Sequence, residues 1–461
     1  MRKLLVLVVV LSVIAGGAFV AAGFAAVPVI HINKPEKFVG AATPLDVLIE
    51  APNGRVGALA IEFEQGGTRT SLMSTSDALG QAGVGTGSPI TQDGPNQLRM
   101  TPTVGRDQVP GLKSGPARII VTASRPVLYG IRHVQSQATK DVTVRLERPQ
   151  VSVLSTHHYI NVGGAEMVLY RVSPADVASG VRVGDFEYPG YPASGVQIPG
   201  IAVADPAVRV AFFALEFDQP TNTPMQLFAR DEAGNTATAG FDHQVFPKPA
   251  RQSKIPLDDA FINRVVPAIL AGTNEVAPTG STIEQYVVVN SVLRKLNAAK
   301  IASFAKETSP DLLWNGVVFH PFTNNAVESA FADRRTYVYQ GKEVDHQTHL
   351  GFDLASVKNA PVIAANRGKV VFAQELGIYG NCVIVDHGMG VQSLYGHMSS
   401  IGVRPGDMVE KAQELGKSGI TGLAGGDHLH FTMLVNGHMI NPVEWWDAHW
   451  IEDRILRKLR P

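Results

Sequence analysis

The sequence contains one cysteine, Cys382, among 461 residues. No disulfide can form within the chain, so its stability must come from packed cores. Charged residues are scarce too, at 18%, and the formal net charge is −1. This near-neutral balance gives no electrostatic basis for binding nucleic acid, and we expect no nucleic-acid partner. Apolar residues, glycine and proline are plentiful, which indicates a mainly β, multidomain protein, and the length allows two to four domains.

The sequence also lacks a His-Glu-x-x-His segment. In many metalloproteases that segment places two zinc ligands and a carboxylate base on one helix. Hydrolysis at a metal in this chain would therefore need a different base, and histidine is the available residue type.

The N-terminus begins with Met1, Arg2 and Lys3, and residues 4–30 carry no charge. The uncharged run exceeds the roughly 20 apolar residues that span a bilayer, and the basic residues before it favour export of the rest. We therefore predict a transmembrane or signal helix within residues 1–30. An uncleaved membrane anchor is the favoured interpretation. Cleavage near Gly23-Phe-Ala25, which would release a secreted protein, is the alternative.

Two regions show the alternating apolar pattern of β-strands, with turn residues between them. In residues 31–148 we expect strands at 45–50, 58–63, 117–122 and 142–146, and a polar loop at 80–95. In residues 149–246 we expect them at 151–154, 166–170, 208–217 and 225–230. This spacing predicts two β-sandwiches. Asp231-Glu-Ala-Gly-Asn235 followed by Thr-Ala-Thr resembles the last hairpin of bacterial immunoglobulin-like domains, which implies that the sandwiches are immunoglobulin-like.

A linker and a short helical neck are predicted for residues 247–320. Residues 247–254 have the composition of a linker. After them the apolar period becomes helical over 258–270 and 282–306, and acidic residues near both starts favour helix initiation.

The remaining region, residues 321–461, is rich in histidine: nine of the 14 histidines lie between His320 and His449. Its alternating segments predict that His349, Gly351 and Asp353 share one face of a strand, and that His428 and His430 share one face of another. Two imidazoles and one carboxylate can hold zinc and leave a position open for water. The same ligand set also occurs in non-haem iron oxygenases, which stay a less favoured alternative.

These segments carry a resemblance to a known family. His349-Leu-Gly-Phe-Asp353, Tyr395-Gly-His397 and His428-Leu-His430 resemble, in this order, the lysostaphin-type (LytM-like) zinc endopeptidases, which cut peptide cross-links in bacterial cell walls. The resemblance covers residues 325–447. It implies an antiparallel-β peptidase domain with one Zn²⁺ bound by His349, Asp353 and His430. It further implies that His397 and His428 are the catalytic histidines.

The resemblance also implies a substrate and a place. We expect a metalloendopeptidase that hydrolyses peptidoglycan stem peptides in the cell envelope, facing the periplasm or cell wall. Some members of the family have lost their zinc ligands and activate other wall hydrolases, so a latent or non-catalytic regulator is the alternative. The sequence does not decide what the sandwiches bind, and wall-associated proteins are among the partners that it leaves open. The bond that is cut is open too. We also expect part of residues 31–330 to lie over or beside the catalytic groove and to limit access to it.

Two positions depart from the family pattern. Gly425-Gly-Asp427 precedes His428 where the family commonly has a small residue, glycine and proline, which affects the expected shape of the groove. Ala332 stands where the family often has glycine.

Overall fold

The computed structural model describes residues 2–52, 54–76 and 89–460. The chain is mainly β, with 43% strand and 19% helix, as the sequence predicts. Its contacts divide it into two units. The first comprises Met1–Pro149 and Arg230–Thr236, and the second comprises Gln150–Ala229 and Ala237–Pro461.

The first unit begins with helix α1, Arg2–Ala22, which is long and apolar enough to cross a membrane. The uncharged run continues beyond the end of the helix, through a turn, to the start of the first strand at Val29. The strands of this unit are β1 (Val29–Lys34), β2 (Phe38–Val39), β3 (Ala42–Pro44), β4 (Asp46–Glu50), β5 (Leu59–Gln65), β6 (Thr68–Thr75), β7 (Ile90–Gly94), β8 (Gln97–Met100), β9 (Thr103–Gly105), β10 (Gly115–Val127) and β11 (Arg132–Val144).

Two sheets of this unit enclose one hydrophobic core. Their strand orders are β1-β4-β8-β7 and β2-β11-β10-β5-β6, and a small sheet pairs β3 with β9. Alternate residues of the central strands, such as Val47 and Ile49 of β4 and Ile61 and Phe63 of β5, are fully buried in that core. The four predicted strands are confirmed. The sandwich is therefore built on the alternation that the sequence shows, and its immunoglobulin-like character stays a prediction.

The prediction of a loop at residues 80–95 is wrong in part. Residues 80–88 lie outside the described residues, but Ile90–Gly94 form strand β7, paired with β8. This strand is at the edge of its sheet and buries only Ile90, so it has no apolar alternation by which the sequence could reveal it.

The second unit opens with another pair of sheets, β12-β14-β18-β17 and β16-β15-β19-β20, and a β13-β21 pair. The four strands predicted here are confirmed, and β19 and β20 form the hairpin expected around residues 231–235. The bounds are β12 (Gln150–Val153), β13 (His158–Asn161), β14 (Ala165–Ser173), β15 (Ala178–Val183), β16 (Phe186–Pro189), β17 (Tyr191–Pro192), β18 (Val208–Ala214), β19 (Met225–Arg230), β20 (Thr236–Gly240) and β21 (His243–Phe246).

The neck follows, preceded by strand β22 (Gln252–Leu257), which pairs in parallel with a later strand. Three residues that the sequence assigns to the linker, 252–254, therefore belong to a sheet, because a distant partner supplies the hydrogen bonds. Both predicted helical segments are confirmed, as α2 (Asp259–Ala271), α3 (Thr282–Val288), a π-helical turn (Val289–Leu293), α4 (Arg294–Ser303) and a 3-10 turn (Phe304–Glu307). Asp258 caps α2, and Ser281 with Glu284 forms a capping box on α3.

The C-terminal region is dominated by an eight-stranded sheet. Its order is β23-β26-β34-β30-β29-β28-β32, and β35 also pairs with β34; two three-stranded sheets, β22-β24-β25 and β27-β33-β31, accompany it. The elements are β23 (Ala326–Ser329), β24 (Asp333–Tyr339), β25 (Lys342–His349), β26 (Phe352–Ala355), β27 (Pro361–Ile363), β28 (Gly368–Glu375), β29 (Asn381–Asp386), β30 (Val391–Met398), β31 (Ser400–Ile401), β32 (Met408–Val409), β33 (Glu414–Lys417), β34 (Leu429–Val435), β35 (His438–Ile440), α5 (Val443–Trp446), α6 (Ala448–Ile451) and α7 (Arg457–Leu459).

The sandwich of the second unit and the C-terminal region share one continuous core. Trp445 lies within it, with its ring centroid 6.1 Å from that of Phe212 in the sandwich and 5.4 Å from that of Phe319. Two buried carboxyl groups join the same regions. Glu444 accepts hydrogen bonds from Asn161 and Ala165 of the sandwich, and Glu166 pairs with Lys458 at 2.7 Å.

Candidate active site

Three side-chain atoms from three strands converge on one point. The Nε2 atom of His349 lies 3.0 Å from Oδ1 of Asp353 and 3.1 Å from Nδ1 of His430, and that Nδ1 is 3.0 Å from the same Oδ1. Asp353 on β26 and His430 on β34 are direct cross-strand partners. Within the residues that the structure describes, this is the one group of three metal-competent side chains so placed.

The backbone between His349 and Asp353 differs from the prediction of a single strand. His349 ends β25 and pairs with Asp333, whereas Asp353 belongs to β26 in the large sheet. The chain leaves one sheet and enters the other at Gly351. A Cβ atom at that position would lie 2.4 Å from Cε1 and 2.5 Å from Nε2 of His430. Only glycine therefore lets the imidazole of His430 lie this close to the backbone.

The hydrogen bonds of the outer nitrogens decide which atoms face the centre. Nδ1 of His349 lies 3.1 Å from the carbonyl oxygen of Ala330, so in the neutral ring it carries the proton and Nε2 presents a lone pair. Nε2 of His430 is buried and has no hydrogen-bond partner among the described residues, which leaves Nδ1 as the atom aimed at the centre. Asp353 accepts a hydrogen bond from Arg335 at its other oxygen.

This arrangement fits a divalent metal ion. Two imidazole lone pairs and a carboxylate oxygen repel one another at 3.0 Å unless a cation or a proton lies between them. Ligands on a tetrahedral zinc with bonds of about 2.0–2.1 Å stand about 3.3 Å apart, close to the separations found here. His349 is hydrogen-bonded to the Ala330 carbonyl and Asp353 to Arg335, and hydrogen bonds of this kind orient metal ligands in proteins.

Two further histidines lie beside the triad. The ring centroids of His397 and His428 are 4.8 Å apart, and Nε2 of His428 is 3.5 Å from Oδ1 of Asp353. His397 interrupts the register of β30 against β29 and has φ of +62°, a left-handed conformation that non-glycine residues adopt mainly where the surroundings enforce it. Nδ1 of His397 faces the carbonyl of Thr421, and Nδ1 of His428 that of Gly426, each at 2.8 Å. In the neutral rings both Nε2 atoms carry a lone pair.

Burial and neighbouring charges shift the pKa values of the side chains at the site. Burial lowers the pKa of His430 to about 4, and burial with the neighbouring His428 and His430 holds the pKa of His397 well below its usual range. For Asp353, burial acts to raise the pKa, but the contacts with His349, His428 and His430 outweigh it and keep the carboxyl ionised. Burial likewise opposes the charged form of His428, yet the Asp353 carboxylate raises its pKa. His430 is thus neutral and Asp353 is anionic, and these are the forms that bind metal.

All five side chains line a cavity of about 420 Å³. Its other walls come partly from the neck: residues 255–258, Phe261, Tyr286, Asn290 and Arg294 line it. Arg264 of α2 also donates a hydrogen bond to the carbonyl of Ala424, in the loop that reaches the cavity through Gly425 and Gly426. The neck therefore lies beside the groove, as expected of part of residues 31–330; that it limits access stays a prediction.

Sequence reasoning missed these neck residues and the role of Arg335. The neck residues carry no motif. The only sequence signal for Arg335 is that it forms an adjacent basic pair with Arg334, shortly before the metal-binding segment. The two departures from the family pattern have structural explanations. Ala332 has φ of +64°, which glycine adopts more easily, and Asp427 accepts hydrogen bonds from Ser418 and Asn359 that hold the loop before His428.

Comparisons with known proteins agree with this geometry. Residues 347–442 match the model of Peptidase family M23. DD-carboxypeptidase/endopeptidase Mpg of Neisseria meningitidis serogroup B is 38% identical over 95 residues, which are 21% of this chain and 22% of that protein. Peptidoglycan DD-endopeptidase ShyA of Vibrio cholerae is 32% identical over 118 residues, 26% of this chain and 27% of that protein.

Among solved structures, the catalytic domain of the antimicrobial peptidase lysostaphin from Staphylococcus simulans matches 26% of this chain and 90% of its own, at 27% identity and a TM-score of 0.23. The chain spans about a quarter of the length of the curated relatives it matches. The resemblance seen in the sequence is confirmed for the matched region. The C-terminal part of this chain is an M23 (LytM-type) peptidase domain.

Proposed function

We propose that this protein is a zinc metalloendopeptidase that hydrolyses peptide cross-links of bacterial peptidoglycan. One observation carries the proposal: the Nε2, Oδ1 and Nδ1 atoms of His349, Asp353 and His430 converge within 3.1 Å beside two further histidines, all in one cavity. The names of the relatives, which include a peptidoglycan DD-endopeptidase, support peptidoglycan as the substrate.

His349, Asp353 and His430 would hold one Zn²⁺ per chain. Bound zinc lowers the pKa of a coordinated water to about 7 and polarises a carbonyl group. His397 and His428 supply the acid-base groups, since each presents Nε2 to the cavity while its Nδ1 faces a backbone carbonyl. One of them accepts the proton of the attacking water, and the other stabilises the oxyanion or protonates the leaving amine.

The N-terminal helix and the proposed substrate together support a location in the cell envelope. Helix α1 would anchor the chain in the membrane so that the peptidase faces the periplasm or cell wall, or would direct secretion if it is cleaved. Wall-associated proteins would be its partners if the sandwiches bind other chains.

A second candidate is a latent peptidase or regulator. It is favoured by the neck, whose residues from 255 to 294 form part of the cavity lining and would restrict a bulky substrate.

Digestion of purified peptidoglycan of defined cross-link type, with the products identified by mass, tests the proposal. We expect cleaved cross-links with wild-type protein, and loss of both bound zinc and cleavage in His349→Ala and Asp353→Ala, because each removes one of three protein ligands. His449→Ala is the matched control, since the side chain of this histidine is 82% exposed and does not line the catalytic cavity. Stoichiometric zinc in both triad variants would refute the ligand set, and iron with oxygen-dependent turnover would favour the oxygenase. Intact cross-links despite bound zinc in the wild type would favour the latent regulator.

A further inference from the structure

A second cavity, of about 550 Å³, adjoins the catalytic one, because Arg294 and Arg335 line both. On one side it is formed by the first turn of α4, which contributes Arg294 and Lys295. On the other it is formed by the β24–β25 hairpin, which contributes Arg334 and His346. We call this cavity the cationic groove. The neck and the peptidase domain form most of its lining, and Phe217 of the sandwich region contributes to it.

Every charged side chain that lines the cationic groove is basic. Arg294, Lys295, Arg334 and Arg335 line it with His346, and no Asp or Glu of the described ranges is among the lining residues. Arg335 is neutralised by Asp333 and Asp353. The other three arginine and lysine residues form no salt bridge with any acidic residue in the described parts of the chain. A concave surface lined by charges of one sign concentrates counter-ions of the other.

Two acidic residues of strand β25, which lines part of the cationic groove, already have partners. Asp345 accepts hydrogen bonds from the side chains of Asn290 and Gln347 and from the backbone of His346. Glu343 lies 3.8 Å from Nε2 of His346 and 3.7 Å from Lys254. Neither carboxylate neutralises Arg294; its guanidinium is half-buried and, among the residues that the structure describes, is hydrogen-bonded to the neutral Asn290 alone. The positive charge therefore stays available for a ligand.

We propose that the cationic groove binds free carboxylate groups of the peptide whose scissile bond lies in the catalytic cavity. The two cavities are contiguous through Arg294, so one peptide can occupy both. Arginine side chains match carboxylates in geometry, and a cavity of this size holds a few peptide residues. This inference rests on the proposed function, and it assigns to the peptidase a preference for acidic peptide substrates.

The test compares two cross-linked peptides of the same sequence, one with free carboxylates and one with the same groups amidated, as substrates of the full-length protein. We expect Lys295→Gln and Arg334→Gln each to raise KM for the free-carboxylate peptide about two- to fivefold at low salt, as exposed ion pairs do, with kcat unchanged. Neither variant should change KM for the amidated peptide. Lys342→Gln, on the same hairpin but outside the cavity lining, should change neither value.

Direct binding separates failure of this inference from failure of the proposed function. His397→Ala protein, titrated calorimetrically with both peptides, should bind the free-carboxylate peptide more tightly, and high salt should remove the difference. Equal binding of the two peptides would overturn the inference even if both are cleaved. So would tighter binding of poly(glycerol phosphate) than of the acidic peptide. If the wild type cleaves neither peptide, the proposed function fails, and the calorimetric comparison still decides what the groove binds.

Discussion

Adding one methyl group at Gly351 should weaken metal binding without a change in any ligand. In Gly351→Ala, the new Cβ would lie 2.4 Å from Cε1 of His430, whereas ordinary contact begins at 3.4 Å. The imidazole or the backbone must then move by about 1 Å, five times the roughly 0.2 Å within which metal–ligand distances normally fall. Displacements that disturb the support of a ligand typically cost 10- to 100-fold in metal affinity, which is about 1.4–2.7 kcal/mol.

The assay is a zinc competition titration against a chelating dye, with circular dichroism as a check on folding. Gly425→Ala is the matched control: Gly425 also lies in a bend beside the cavity, but its Cβ would meet nothing within 4 Å. Neither glycine has a φ in the left-handed region, so alanine causes no backbone strain at either position. Unchanged zinc affinity in Gly351→Ala, or an equal loss in Gly425→Ala, would refute the steric reasoning.

Three further predictions concern the acid-base pair, the neck and a buried carboxyl group. His397→Ala and His428→Ala should retain zinc but lose about 10²–10⁴ in peptide turnover, and loss of zinc from His428→Ala would contradict its assigned role. Arg264→Ala, which removes the hydrogen bond from α2 to the carbonyl of Ala424, should raise activity on intact wall more than on a short peptide; equal change on both would count against occlusion. Burial raises the pKa of Glu444 to about 7 from 4.5, against the hydrogen bonds that favour its ionised form. The folded state thus holds this proton more tightly than the unfolded state. The resulting stability, at most about 3 kcal/mol, should be present below pH 4.5 and lost as the pH rises through 7. Melting temperatures of wild type and Glu444→Gln between pH 5 and 8 check this, and a parallel dependence of the two proteins on pH would disprove it.

A point variant tests the role of the neck more clearly than a deletion does, because the neck is packed against the peptidase domain. Leu257, Ile262 and Val266 share a core with Tyr379 and Ile384 of the peptidase domain. Removing the neck would expose that core. A change in activity could then come either from lost stability or from freer access to the groove, and the two effects would not be separated.

The sequence by itself determined the features whose cause lies within a few residues. Apolar alternation predicted the central strands of both sandwiches, and acidic residues, Asp258 and Glu284 among them, indicated where two helices begin. The metal-competent residues could also be named in advance, because their motifs are short and their side-chain chemistry does not depend on the fold.

Only the tertiary structure decided what depends on distant partners. His349 and His430 are 81 positions apart, and which nitrogen of each faces the centre is set by the carbonyl of Ala330 and by the close approach of Gly351. Residues 252–254 became a strand because β24 offers them hydrogen bonds, and the edge strand β7 has too little buried surface to leave a pattern. The position of the neck in the lining of the catalytic cavity likewise depends on contacts with residues that are distant in the sequence. Local periodicity specifies which side of an element is apolar, but the surface that it meets is selected by packing over the whole unit.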